Sequence, residues 1–138
     1  MIREARSEDE AQLRAIQMNT LDEPWPELLG VGVDGPPLVL VLDIGEPLGY
    51  ALVVPDHPVA YLAEFAIAPG KQGQGLGTTL MGGLLDRLQA GGFETVRLTA
   101  RADDERARGF YDGFGFAVAD ELPGHYDDGD GVLLVRDL

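Results

Sequence analysis

One stretch of the sequence decides the fold: Glu64-Phe65-Ala66-Ile67-Ala68-Pro69-Gly70-Lys71-Gln72-Gly73-Gln74-Gly75-Leu76-Gly77-Thr78. The residues around its start, 59–68, alternate with the period of two that predicts a strand. Pro69 and Gly70 end that strand. After the stretch, leucines recur every fourth residue from Leu76 to Leu88, which predicts one apolar face of an amphipathic helix. We therefore predict a strand, a glycine-rich turn and the start of a helix.

The turn between this strand and this helix is predicted to bind an anion through its backbone. Gly73, Gly75 and Gly77 remove the side chains that would keep a ligand away from the main chain. The unpaired N–H groups of the first helical turn point into the gap, and the helix dipole adds partial positive charge there. An ordinary tight turn without a ligand is the alternative that the glycine pattern alone leaves open.

The spacing of the glycines separates this turn from two other phosphate-binding loops. A P-loop needs Gly-Lys-Ser/Thr at the helix start, but the single lysine, Lys71, lies upstream. A dinucleotide fingerprint needs a third glycine where Thr78 stands. The residues from Gln72 to Gly77 instead spell Gln-x-x-Gly-x-Gly. This pattern resembles the coenzyme A pyrophosphate loop of the GCN5-related N-acetyltransferases, the GNAT family.

A second motif further along the chain resembles the same family. It is Ala107-x-x-Phe110-Tyr111-x-x-x-Gly115-Phe116, and it follows a predicted strand at the distance that the family shows. The predicted elements also follow the family's order, β-α-loop-β-β-β-α-β-α-β-β. The resemblance therefore implies a single α/β domain over residues 1–138, with a GNAT-like mixed, mostly antiparallel central sheet of six to seven strands flanked by helices.

Two parts of the chain are predicted to be irregular. Residues 21–37 are rich in proline and glycine and are predicted as a loop. Residues 122–131 are polar and turn-rich, between a sixth strand at 116–119 and a last strand at 132–135. Within them, Asp127-Asp128-Gly129-Asp130 lacks the alternating oxygen ligands of a calcium loop and is better interpreted as a hairpin turn.

Composition restricts the partners. The chain carries 24 acidic and 10 basic side chains, a net charge of −14, so nucleic acid and anionic membranes are not expected to bind. The absence of cysteine and the lack of a signal-peptide pattern at the start favour a cytoplasmic protein. The acidic surplus with one lysine also resembles proteins of salt-loving organisms, in which concentrated salt screens such repulsion.

The resemblance implies acetyl-CoA as the cosubstrate and no metal. Backbone N–H groups of the glycine turn would hold its diphosphate, and the edge of the strand would pair with its pantetheine arm. Asp104 stands where the family commonly has an asparagine that contacts pantetheine. Arg101, Arg106 and Arg108 are candidates for the 3′-phosphate or for ion pairs with nearby acids. The expected cofactor contacts are Phe65, Ala66, Ile67, Gln72, Gly73, Gln74, Gly75, Leu76, Gly77, Thr78, Asp104 and Tyr111.

Acyl transfer to an amine needs a proton acceptor for the amine and a proton donor for the departing thiolate. Tyr111 resembles the family's tyrosine general acid, and a core aromatic is the alternative. Glu64 is the candidate base, because it is the one carboxylate in an apolar strand, on the face of Leu62 and Ala66. Half-burial of a carboxyl raises its pKa toward the working range. A pair with an arginine, or a solvent-facing position, is the alternative for Glu64.

The predicted activity is N-acetyl transfer from acetyl-CoA to a primary amine, of a small molecule or a peptide N-terminus, by direct transfer in a ternary complex. The alternative is a non-catalytic acyl-CoA sensor. The acceptor side is expected to include Trp25, Glu64 and Tyr126. The family branch that acetylates protein N-termini usually has a glutamate at the position of Thr99, which argues against that branch. A homodimer is left open.

Overall fold

The computed structural model describes residues 1–35 and 37–138. Its helices are α1 (Glu10–Thr20), α2 (Pro26–Gly32), α3 (Leu76–Ala90) and α4 (Glu105–Gly113). Its strands are β1 (Ile2–Glu4), β2 (Leu38–Asp43), β3 (Pro47–Asp56), β4 (Val59–Ile67), β5 (Thr95–Arg101), β6 (Ala117–Tyr126) and β7 (Gly129–Asp137). The strands form one sheet in the order β1-β2-β3-β4-β5-β7-β6. This confirms the predicted α/β class and the mixed, mostly antiparallel sheet.

The sheet opens between its two central strands. β4 and β5 are the parallel pair, and they are joined only from Val59 to Tyr61 on β4. Beyond Tyr61, β4 stays paired with β3 as far as Ile67, while β5 stays paired with β7 as far as Arg101. Within residues 1–35 and 37–138, the side of β4 that faces β5 therefore carries no strand after Tyr61. Its backbone groups are open to another extended partner, apart from the Ile67 carbonyl, which accepts from the side-chain amide of Gln72 at 3.3 Å.

Helices cover both faces of the sheet. The predicted apolar face of α3 is confirmed, because Leu80, Met81, Leu84, Leu85 and Leu88 are all buried. One core lies under α3, and a second core lies under α1 and α2 on the opposite face. Where α3 crosses β1, a Cβ added to Gly83 would lie 2.6 Å from the side chain of Ile2, so only glycine allows that approach.

β4 contains a bulge that corrects the predicted face of Glu64. Glu64 pairs with Leu52 and Leu62 pairs with Val53, so Ala63 is an extra residue on β4. Leu62 consequently packs in the core under α3, whereas Ala66 packs in the core under α1. Glu64 bonds to Gln17 of α1 and so lies on the Ala66 side only. The predicted common face of Leu62, Glu64 and Ala66 is therefore wrong, because Leu62 lies on the opposite face of the sheet.

The two segments predicted as irregular contain regular structure. The loop at 21–37, of which residue 36 lies outside the described residues, includes α2, and Pro26 occupies its first turn, where a missing N–H costs nothing. β6 continues from Ala117 to Tyr126, and β7 begins at Gly129, so the turn itself is the predicted hairpin turn. The register shifts between Leu122 and Tyr126, and an edge strand accepts such irregular pairing.

Candidate active site

The N-terminus of α3 presents open hydrogen-bond donors. Gly75 is its N-cap, at φ +78°, and Gly73 has φ +79°, a left-handed backbone that glycine adopts without strain. No side chain caps this end. In the described part of the chain, the N–H groups of Leu76, Gly77 and Thr78 find no backbone or side-chain acceptor. Such an end binds anions.

A cleft of about 420 Å³ lies against these donors. It is bounded by the glycine turn, the free edge of β4 and α4, so the predicted diphosphate and pantetheine positions share one cavity. Of the predicted cofactor residues, ten line it: Phe65, Ala66, Ile67, Gln72, Gly73, Gly75, Gly77, Thr78, Asp104 and Tyr111.

Two predicted cofactor residues do not line this cleft. The side-chain amide of Gln74 donates to the carbonyl of Gly70 at 3.3 Å. The side chain of Leu76 packs on the small core of Leu42, Ile67 and Leu80. We therefore expect Gln74 and Leu76 to contact a ligand through their main-chain atoms and not through their side chains.

A second, smaller cavity of about 180 Å³ lies on the other side of the opening between β4 and β5. Leu21, Phe65, Asp104 and Tyr111 line both cavities, so the two adjoin at these side chains. The second cavity is also lined by Asp22, Glu23, Leu62, Ala63, Glu64, Leu98, Thr99, Arg101 and Tyr126.

Tyr111 is placed at the junction of the two cavities. Its ring makes edge contacts with Phe110 and Phe116, at centroid distances of 5.4 and 5.6 Å. Burial, followed by the neighbouring Asp104 and Tyr126, raises the pKa of the Tyr111 phenol to about 12. The hydroxyl is therefore protonated at neutral pH. Within residues 1–35 and 37–138 it makes no hydrogen bond, and so its proton is available to a ligand.

Asp104 has a structural partner as well as a place in the site. It is the N-cap of α4, and its Oδ1 accepts from the N–H of Ala107 at 3.0 Å. This bond holds a carboxylate between the two cavities, where the resemblance predicts a pantetheine contact.

Glu64 is more deeply buried than the predicted half-buried carboxylate, with 6% of its surface exposed. Its Oε1 accepts from Gln17 Nε2 at 2.8 Å and from the Tyr50 hydroxyl at 2.9 Å, and its Oε2 accepts from the Trp25 N–H at 2.7 Å. Burial, followed by the Glu64 charge, raises the pKa of Tyr50 far above its ordinary value, so Tyr50 remains a donor. The bulge at Ala63 turns Glu64 toward these three partners, and none of them is the arginine that was the alternative given for Glu64.

A model of the Acetyltransferase (GNAT) family matches residues 1–116. The chain belongs to this family. Mycothiol acetyltransferase of Nocardia farcinica is 40% identical over 81 residues, which are 56% of this chain and 25% of that protein. The chain thus spans about a quarter of the length of that curated relative. The crystal structure of the ribosomal-protein-S18-alanine N-acetyltransferase from Escherichia coli matches with 26% identity and a TM-score of 0.88, over 99% of this chain and 92% of that one.

Another solved GNAT structure that shares this fold contains bound acetyl-CoA. A family member from Elizabethkingia anophelis, solved with acetyl-CoA bound, superposes with a TM-score of 0.83 at 16% identity, over 100% of this chain and 97% of that one. The GNAT resemblance drawn from the two sequence motifs is thus confirmed at the level of family and fold.

The candidate acceptor residues divide into two groups in this GNAT domain. Glu64 and Tyr126 line the second cavity. Trp25 lines neither cavity: its N–H is bound to Glu64, and its side chain is 52% exposed. Thr99, at the position of the family's glutamate, shares a hydrogen bond of 3.2 Å with the Tyr61 hydroxyl.

Sequence reasoning missed one cluster in this GNAT site. Arg101 pairs with Glu23 at 3.1 Å and with Asp128 at 2.7 Å, reaches Asp22 at 3.7 Å, and lies 4.5 Å over the Tyr126 ring. Of the two alternatives given for Arg101, the 3′-phosphate or ion pairs with acids, the structure shows the ion pairs, made with acids that are distant in sequence. Arg101 lines the second cavity, whereas Arg106 lines the cleft. Nothing in the local sequence indicates that these three distant segments meet.

Two features are absent from residues 1–35 and 37–138. These residues contain no group of three or more histidine or carboxylate side chains arranged to hold a metal ion. They also contain no helix with the length and apolar character needed to cross a membrane.

Proposed function

We propose that the chain is an N-acetyltransferase that moves the acetyl group of acetyl-CoA to a primary amine by direct transfer in a ternary complex. The observation that carries this proposal is the position of Tyr111, whose protonated phenol borders both cavities at the opening between β4 and β5. A donor in the cleft and an acceptor in the second cavity would meet at this side chain.

The cleft suits the anionic donor in spite of the net charge of −14. Its donors for a diphosphate are main-chain N–H groups at the start of α3, which carry no compensating acid in the first turn. Arg106 adds a cationic side chain to the same cleft. The free edge of β4 offers backbone groups for the amides of the pantetheine arm, in the manner of an added strand.

The second cavity suits a cationic acceptor. The carboxylates of Asp22, Glu23 and Asp104 line it, and Arg101, which also lines it, pairs with the first two. An aliphatic amine arrives as an ammonium ion at neutral pH. It loses one proton to solvent, the new C–N bond forms as the C–S bond breaks, and Tyr111 gives its proton to the leaving sulfur. The nitrogen then loses its second excess proton to solvent, and the phenolate of Tyr111 takes a proton back from solvent, which restores the starting state.

The class of amine is proposed from the relatives. The E. coli neighbour is a ribosomal-protein-S18-alanine N-acetyltransferase, which favours a peptide N-terminus. The match to mycothiol acetyltransferase favours a small-molecule amine instead. We place the peptide N-terminus first, because that neighbour shares the fold over nearly the whole chain. The counter-argument is Thr99, which stands where the branch that acetylates protein N-termini usually has a glutamate.

The experiment follows thiol release from acetyl-CoA with a panel of peptide N-termini and small amines. Tyr111→Phe should lower kcat by about a hundredfold or more and leave the Kd for acetyl-CoA within about threefold. Tyr61→Phe is the matched control, because its phenol bonds to Thr99 and lines neither cavity. Acetyl-CoA binding with no turnover on any amine would instead support the non-catalytic sensor.

A further inference from the structure

We infer that Glu64 is a positioning residue: it fixes the segment between α1 and α2 that forms one wall of the second cavity, and it does not take the proton from the amine. The inference rests on the proposed function in one respect, that the second cavity receives the acceptor. It concerns affinity for the acceptor, and it gives a structural role to the carboxylate that the sequence predicted as the base.

The contacts of Glu64 hold both ends of that wall. Gln17 lies one turn before the end of α1, and Trp25 is the residue before α2. Glu64 accepts from the side chain of Gln17 and from the main chain of Trp25. The residues between these two points include Leu21, Asp22 and Glu23, which line the second cavity. One carboxylate on the sheet therefore holds both ends of the wall, while Arg101 pairs with Asp22 and Glu23 in its middle.

The same contacts make Glu64 a poor proton acceptor. All three of its partners are donors, and two of them share Oε1. A proton on Oε1 would lie opposite the donors of Gln17 and Tyr50 in a buried site, where an unmade hydrogen bond costs about 1–3 kcal/mol. The one lone pair left, on Oε2, belongs to a side chain that is only 6% exposed. A base that works through water needs an oxygen that can gain and lose a proton without that cost.

An unpartnered atom next to Glu64 provides the test. Among the described residues, Gln17 Oε1 is the buried side-chain oxygen without a hydrogen-bond partner. In a Glu64→Gln variant the new NH2 group can donate to this oxygen after a flip of the Gln17 amide, and its second N–H can donate to the Tyr50 hydroxyl oxygen. The remaining oxygen of the variant side chain still accepts from the Trp25 N–H. That variant keeps the anchor and removes the carboxylate. Glu64→Asp keeps the carboxylate but withdraws it by about 1.5 Å, out of hydrogen-bond reach of Trp25.

The two variants are compared by steady-state kinetics and by acrylamide quenching of the single tryptophan, Trp25. Glu64→Asp should raise the acceptor KM by about tenfold or more, keep the KM for acetyl-CoA within about twofold, and increase quenching of Trp25. Glu64→Gln should lower kcat by no more than about threefold relative to the parent, with unchanged quenching of Trp25.

If Glu64 were instead the general base, the two variants would behave in the opposite way. Glu64→Gln would then lose kcat by about a hundredfold while Trp25 quenching stays at the parent level, and this outcome overturns the inference. Unchanged acceptor KM and unchanged quenching in Glu64→Asp overturn it as well. If Glu64→Asp does not fold, the kcat of Glu64→Gln alone distinguishes a positioning residue from a general base. If the parent transfers no acetyl group, the proposed function is refuted. Acrylamide quenching of Trp25 in the two variants then still tests whether Glu64 fixes the segment between α1 and α2.

Discussion

The main-chain cradle at the start of α3 can be tested with Gly75→Ala. Gly75 lines the cleft, and a methyl group on it would meet no protein atom within 4 Å. The added group would therefore stand in the space assigned to the diphosphate. The backbone of Gly75, at φ +78°, is also a conformation that residues with a side chain rarely adopt.

Two separate losses follow from this substitution. The left-handed backbone costs about 1–2 kcal/mol with alanine, which lowers the melting temperature by about 3–8 °C for a chain of this size. Loss of one main-chain bond to a charged ligand costs about 1.5–3 kcal/mol, which weakens the Kd for CoA by about 10- to 150-fold.

A matched control separates the two losses. Gly92 follows the opposite end of α3 at φ +80°, and a Cβ there would make an ordinary 3.6 Å contact with His57. Gly92→Ala should lose stability like Gly75→Ala and keep the CoA affinity of the parent. Thermal melts and calorimetric titration with CoA measure both quantities. Equal CoA affinity in the two variants would refute the diphosphate cradle.

Two further predictions concern pH and salt. The pKa of Tyr111 is raised to about 12 in the folded chain, so its contribution to stability is present below about pH 10, the unfolded value, and is lost as the pH rises through about 12. Denaturant unfolding should therefore show a steeper alkaline loss of stability in the parent than in Tyr111→Phe, and parallel curves would contradict the burial of this phenol. The net charge of −14 predicts a higher melting temperature in concentrated KCl than in dilute buffer, and an unchanged or lower one would exclude adaptation to salt.

The sequence predicts the parts of the structure that depend on local pattern. The leucines of α3 recur with the helical period and are buried as expected. The glycine turn between β4 and α3 is also a local feature and lies where the sequence predicts it, with Gly73 and Gly75 in the left-handed backbone. α2 was missed because Pro26 is a loop signal in most contexts and a helix signal only in a first turn.

The parts that depend on distant partners were not predictable in the same way. The bulge at Ala63 inserts one residue into β4, and an unbroken run of apolar residues gives no sign of it. It decides which core Glu64 joins, and hence the contact with Gln17, which is 47 residues away in sequence. The Arg101 cluster likewise joins the α1–α2 segment to the β6–β7 turn. Tyr111 could be singled out only because its motif resembles a known one.

The most direct test compares acetyl-CoA with acetyl-pantetheine, which lacks the nucleotide and its diphosphate, by calorimetric titration of the intact chain. If main-chain N–H groups at the start of α3 hold the diphosphate, acetyl-CoA binds at one site and acetyl-pantetheine binds at least about a hundredfold more weakly. No heat from acetyl-CoA, or equal affinity for the two thioesters, would contradict the account.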